Sequence, residues 1–189
     1  VCGRVGEAVS PILETGIKAV DLFAPFKRGG HVGLEHCIGV GAMMLGAQIA
    51  RNFIAEQDGR VIFVGFSGED PTVQFKEWRG FVSDGKLLGE HTVHVLAQEK
   101  DSVSRRHQVV ETGLAMAEGF RNQGYDTLLM VESRLARTKG IIPYLRSRAV
   151  VTPEEAIPTF YWGAQPVGLN GDAFDFLDRL LRGGDVMHR

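Results

Sequence analysis

Gly39 and Gly41 stand at the mouth of a helix-forming run, within His36-Cys37-Ile38-Gly39-Val40-Gly41-Ala42-Met43, and the apolar segment Val32 to Leu34 precedes them. A short strand, a glycine-spaced turn and a helix N-terminus together make a cradle for phosphate. Backbone N–H groups converge there, and the helix dipole adds about half a positive charge. Loops of this design read GxxxxGK[ST], with the lysine reaching the terminal phosphates and the hydroxyl holding magnesium. Here His36 takes the place of the first glycine, Ala42 that of the lysine and Met43 that of the hydroxyl. His36, Gly39, Val40, Gly41, Ala42 and Met43 are therefore candidate nucleotide-binding residues of a degenerate loop. The frame of a phosphate site is present, but its cation is missing.

The segments around this loop supply the scaffold. Thr15-Gly16 can open a short helix from Ile17 to Leu22, which Pro25 ends. Arg60 to Phe66 is a compact β-branched and aromatic run bounded by turn residues, and it reads as a buried strand. Pro71 suits a helix start, and a helix is expected over Val73 to Val82, followed by a strand from Thr92 to Ala97. From Val103 to Asn122, Val109, Val110, Gly113, Leu114, Met116, Ala117 and Phe120 form a helical apolar stripe, which Gly124 closes. Tyr125 to Glu132 is a continuous apolar strand of the kind covered on both faces. A last strand is expected over Thr159 to Gln165 and a closing helix over Phe174 to Leu181. Strands alternating with helices imply a mostly parallel sheet flanked by helices, an α/β fold.

The totals fit one domain of 189 residues, with 44% hydrophobic and 23% charged residues. We divide it into an approach segment over 1–28 and a core over 29–182. A net charge of −2 gives no general affinity for nucleic acid or anionic membranes. Cys2 and Cys37 make no disulfide framework, so a reducing compartment, the cytoplasm, is expected. No apolar run is long enough to span a bilayer, and there is no charged-then-apolar leader. A chain beginning at Val1 reads as a trimmed or excised piece. The histidines show no metal-ligand spacing and the cysteines no CxxC, so no metal site is expected. Gly65-Phe66-Ser67-Gly68-Glu69 hints at a GxSxG nucleophile elbow, but its second glycine comes one position early. His188, at the chain end, is a poor base for such a triad.

Three blocks together carry a family resemblance, the third being Gly68-Glu69. The first is Ile12-Leu13-Glu14-Thr15-Gly16-Ile17-Lys18-Ala19-Val20-Asp21-Leu22-Phe23-Ala24-Pro25, with Lys27-Arg28-Gly29-Gly30. It resembles the approach to the phosphate loop in rotary ATPases: the ATP synthase beta subunit, the vacuolar-type catalytic subunit and their flagellar and secretion relatives. The second, Ala117 to Arg121 with Gly124 to Ser133, resembles the helix and Walker B strand of the same proteins. The resemblance implies a RecA-like P-loop NTPase core. It also implies a flanking N-terminal barrel and C-terminal helical domain, both absent from this sequence, and assembly into rings. It places Glu132 at the Walker B aspartate, and Gly68-Glu69 where relatives carry the glutamate that orients the attacking water. Both glutamates are then vestigial catalytic candidates.

Phosphoryl transfer needs positive charge on the oxygens that gain negative charge. Without the lysine and the hydroxyl, Glu35, Glu69 and Glu132 are expected to surround the site with acid. One like-charge contact at 4 Å costs about 4 kcal/mol at an effective dielectric of about 20, against about 0.3–2 kcal/mol from the helix terminus. The expectation is a pseudo-ATPase that holds ATP or ADP, with magnesium, weakly or not at all, and serves as an interaction or regulatory subunit. Arg134, Arg137, Lys139, Arg146 and Arg148, with no acid among them, make a candidate docking surface for a protein partner or a second copy. The alternatives are a hydrolase whose catalytic cations come from a neighbour, and a weaker RNA-binding reading with only Tyr144 for stacking.

Overall fold

The structure, a computed structural model, describes residues 12–36, 42–67, 90–148 and 157–164. Five strands, β3 (His31–His36), β4 (Arg60–Ser67), β5 (Thr92–Gln98), β6 (Thr127–Glu132) and β7 (Thr159–Ala164), form one sheet in the order β3-β7-β6-β4-β5. Every pairing in it is parallel. Side chains alternate across such a strand, and both faces are covered. Ile62, Val64 and Phe66 of β4 join Leu129 and Val131 of β6 in a core under α3 (Val103–Asn122), α4 (Ser133–Ala136) and α5 (Ile141–Arg148). Val61, Phe63, Leu128, Met130 and Phe160 face the other way, onto α2 (Ala42–Gln57). Two-sided burial is the reason these strands read as unbroken apolar runs.

The stripe on α3 buries Val109, Val110, Gly113, Leu114 and Ala117. Met116, which falls in the same sequence pattern, is 40% exposed. The Ser102 side chain caps the helix by accepting from the Arg105 N–H. Gly113 permits close packing on β4, because a Cβ there would lie 2.4 Å from Val64 Cγ2.

The approach segment is tied down by Leu13 and Phe26 in the core and by polar contacts around Thr15; its helix, α1 (Lys18–Phe23), buries none of its residues fully, though Val20 packs against the same core. Asp21 Oδ1 accepts from both the Thr15 N–H and the Thr15 hydroxyl, and Asn52 of α2 donates to the Thr15 carbonyl at 2.9 Å. Gly16, at φ +70°, lies so near Asn52 that a Cβ would meet its Nδ2 at 2.6 Å. A two-stranded antiparallel ribbon, β1 (Ile12–Leu13) with β2 (Phe26–Lys27), closes this segment, a feature absent from the sequence reading. Phe26 stacks on Phe160 at 5.7 Å. The helix expected over Val73 to Val82 and the closing helix over Phe174 to Leu181 lie outside the described residues.

His94 of β5 packs beside the Phe63 ring, centroids 5.0 Å apart, and burial lowers its pKa from 6.5 to about 4. The folded chain therefore keeps this ring neutral where the unfolded chain takes up a proton. Stability from this source is complete above pH 6.5 and is lost as pH falls towards 4. Between pH 7 and 5 the loss should be roughly 1–2 kcal/mol. In urea titrations at the two pH values, His94→Phe should lose less stability than the wild type. Equal losses in both proteins would refute the assignment.

Candidate functional site

A parallel sheet brings the carboxyl ends of its strands to one edge, where ligands of α/β folds bind. Here that edge holds His36 at the end of β3, Ser67 of β4, Gln98 of β5 and Glu132 of β6. Leu34 and Glu132 both pair with Trp162 of β7, so Glu132 stands level with Leu34, across the intervening strand. Helix α2 begins at Ala42, and β3 ends at His36. The strand and the helix expected from the sequence are thus in place on either side of the loop. Gly39, Val40 and Gly41 of the loop itself, and Glu69, lie outside the described residues.

Glu132 is where the structure departs most from expectation. Its side chain is buried, yet it is not an uncompensated charge. Oε2 accepts from the Phe66 N–H at 2.9 Å, and Oε1 accepts from Arg134 Nε. Arg134 Nη1 reaches Glu99 Oε1 at 2.7 Å, so one guanidinium bridges two carboxylates. Burial works against the Arg134 charge, but Glu132 and Glu99 outweigh it and raise the pKa above the ordinary arginine value. The same guanidinium lies 5.3 Å from the centre of the Phe66 ring, and that of Arg106 lies 5.1 Å from it. Arg106 Nη2 donates to the Glu99 carbonyl. For Glu132 the expectation of an unopposed acid is corrected, because its counter-ion lies within the chain; the Glu35 side chain and Glu69 lie outside what the structure describes. The three strands β4, β5 and β6 are laced together at the edge where chemistry was expected.

Gly65 makes this arrangement possible. A Cβ at that position would sit 2.9 Å from Glu132 Oε2. Its bare backbone leaves room for the longer glutamate to turn back onto β4. The Gly65-Phe66-Ser67 run is accordingly a seat for Glu132, not a nucleophile elbow, and the Ser67 hydroxyl donates to the Ala97 carbonyl. Sequence reasoning missed Arg106, Glu99 and Phe66 altogether. The available signal was the Glu132-x-Arg134 spacing, where the strand runs straight into α4.

Arg134 and Arg148, the two ends of the basic stretch, do not share one surface. Arg134 lies beyond the carboxyl end of β6, committed to Glu132 and Glu99. Arg148 closes the far end of α5, where it makes two bonds of 2.8 Å to Glu118. There it lines a shallow cleft with His31, Glu118, Arg121 and Thr159, among them the first residues of β3 and β7. The two arginines thus sit at opposite ends of the sheet. Lys139 is exposed between them, with its carbonyl against the His107 ring at 2.8 Å. Arg137 is half-buried, and the Arg146 side chain lies outside what the structure describes.

The resemblance to rotary ATPases implies ATP and magnesium as ligands. A magnesium ion in this kind of site is held by the loop hydroxyl and the Walker B carboxylate. Met43 supplies no hydroxyl, and both Glu132 oxygens are already engaged. These residues do not fit the metal.

Strand order, parallel pairing and a helix, α2, following β3 at the sheet's carboxyl edge are those of a RecA-like nucleotide-binding fold of the P-loop class. Residues 16–140 match the ATP synthase alpha/beta family, nucleotide-binding domain, and the chain belongs to that family. A solved structure, that of a unique ATP synthase subunit, NeqB, from Nanoarcheaum equitans, superposes with a TM-score of 0.66 at 17% identity. The match covers 92% of this chain and 51% of that one, so this chain spans about half the length of its structural relative. Among the described residues no helix is long and apolar enough to cross a membrane, and no group of three metal-ligating side chains occurs.

Proposed function

We propose that this chain is a non-hydrolytic, ATP synthase beta-like domain that serves as an interaction or regulatory subunit of a protein complex in a reducing compartment such as the cytoplasm. Its phosphate loop, His36 to Met43, holds ATP or ADP weakly at most. The observation that carries this reading is the pairing of Glu132 with Arg134 and the Phe66 N–H, together with Ala42 at the lysine position. A carboxylate with both oxygens so engaged is not open to a metal. Partner contacts are assigned to Lys139 and to the faces around Arg137, Arg146 and Arg148, with Arg134 reserved for the internal bridge. Arg134 and Arg148 already neutralise acids of their own chain, which speaks against either of them serving as a cation supplied to a neighbour.

Ala42→Lys combined with Met43→Thr should tighten ATP binding by about 10–100-fold, the equivalent of one charge-assisted hydrogen bond. It should leave phosphate release at background, since Glu132 remains engaged. Calorimetric titration with ATP and a phosphate-release assay check the two halves. Robust turnover by the wild type, abolished by Glu69→Gln, would end this reading.

A further inference from the structure

The guanidinium of Arg134 is placed as a divalent cation would be placed. It sits at the carboxyl edge of the sheet, against the carboxylate at the Walker B position, and bridges that group to a second carboxylate, Glu99. Its central carbon lies over the Phe66 ring, and that of Arg106 lies over the same ring. An incoming cation would have to displace Arg134 from Glu132 and accept Arg106 as a neighbour. The loss of the hydroxyl at Met43 agrees with this, since a site that uses no metal needs no hydroxyl to ligate it.

We propose that Arg134 is a built-in counter-cation that has replaced the divalent metal at Glu132, so that this edge of the fold is held together without metal. Removing the guanidinium then leaves Glu132 and Glu99 as an open carboxylate pair at a half-solvated edge, a donor set that magnesium or manganese accepts with water completing the shell. The claim does not depend on whether nucleotide binds, because its test uses the metal alone.

The experiment titrates the full chain with manganese chloride. Free manganese is followed by electron paramagnetic resonance, and melting temperature is recorded in parallel, for wild type, Arg134→Ala and Arg134→Ala/Glu132→Gln. The wild type should bind no manganese at this site, and its melting temperature should not respond to the metal. Arg134→Ala should melt lower, bind manganese at least about tenfold tighter than wild type, and recover part of the lost melting temperature as the metal is added. The double variant should lose that response. If Arg134→Ala fails to fold, Arg134→Gln is carried through the same titration, since its amide can still bond Glu132. Manganese bound by the wild type through Glu132, or no gain of manganese in either Arg134 variant, would overturn the proposal.

Discussion

Glu132→Ala should lower stability by about 2–3 kcal/mol in urea unfolding, with an unchanged denaturant slope. The largest part comes from the Phe66 N–H, which loses its acceptor at a buried position. A buried donor left unsatisfied costs about 1–3 kcal/mol. A second part comes from the space left under β4 beside Gly65. Arg134, whose side chain is 54% exposed, recovers some solvation when released, and this keeps the total below the roughly 3–5 kcal/mol of a fully buried broken pair. Glu132→Gln should cost less, because an amide oxygen can still accept from Phe66. A residue kept for chemistry behaves in the opposite way: removing it tends to leave stability unchanged or raise it. A neutral or stabilising Glu132→Ala would therefore return this carboxylate to the catalytic class and remove the main support for a non-hydrolytic site.

The second large effect concerns the helix behind the phosphate loop. Phe53 of α2 is 1% exposed, and its ring fills the space over Gly59, where a Cβ would meet Phe53 Cε1 at 2.3 Å. Phe53→Ala should cost about 3–5 kcal/mol, as an aromatic truncation in a closed core does. Gly59→Ala alone should also destabilise, by about 1–3 kcal/mol, because the added methyl has to displace a packed ring. In the Phe53→Ala background the same methyl enters vacated space, so the two losses should not add. A coupling of about 1–3 kcal/mol in the double-mutant cycle would place the contact. Additive losses would mean that α2 is not held onto β4 through this ring. The consequence reaches the start of the helix, because α2 sets where Ala42 lies relative to β3.

The parallel sheet was legible from unbroken apolar runs such as Thr127–Glu132, and the observed strands fall within a residue or two of their expected limits. The amphipathic α3 was legible for a similar reason. Val109, Val110, Gly113, Leu114 and Ala117 recur at helical spacing because only one side of the helix meets the sheet. Met116 misled the pattern, since a hydrophobic residue at the margin of a stripe need not be buried. Linear proximity along Arg134 to Arg148 did not reveal that its first and last arginines lie at opposite ends of the sheet. Helices α4 and α5 carry the chain from one end of the sheet to the other and separate its charges.

By itself, the sequence determined the scaffold and the loss of the loop's cation, because periodicity, glycine spacing and the identities of Ala42 and Met43 are local properties. Only the tertiary structure decided what became of the remaining acid at that edge. Glu132 meets its partners through Phe66, from a strand 66 residues away in the chain, and through Arg134, which in turn reaches Glu99, 35 residues distant. The charge balance of a site depends on distances in space, and the folding of β4, β5 and β6 side by side is what sets them.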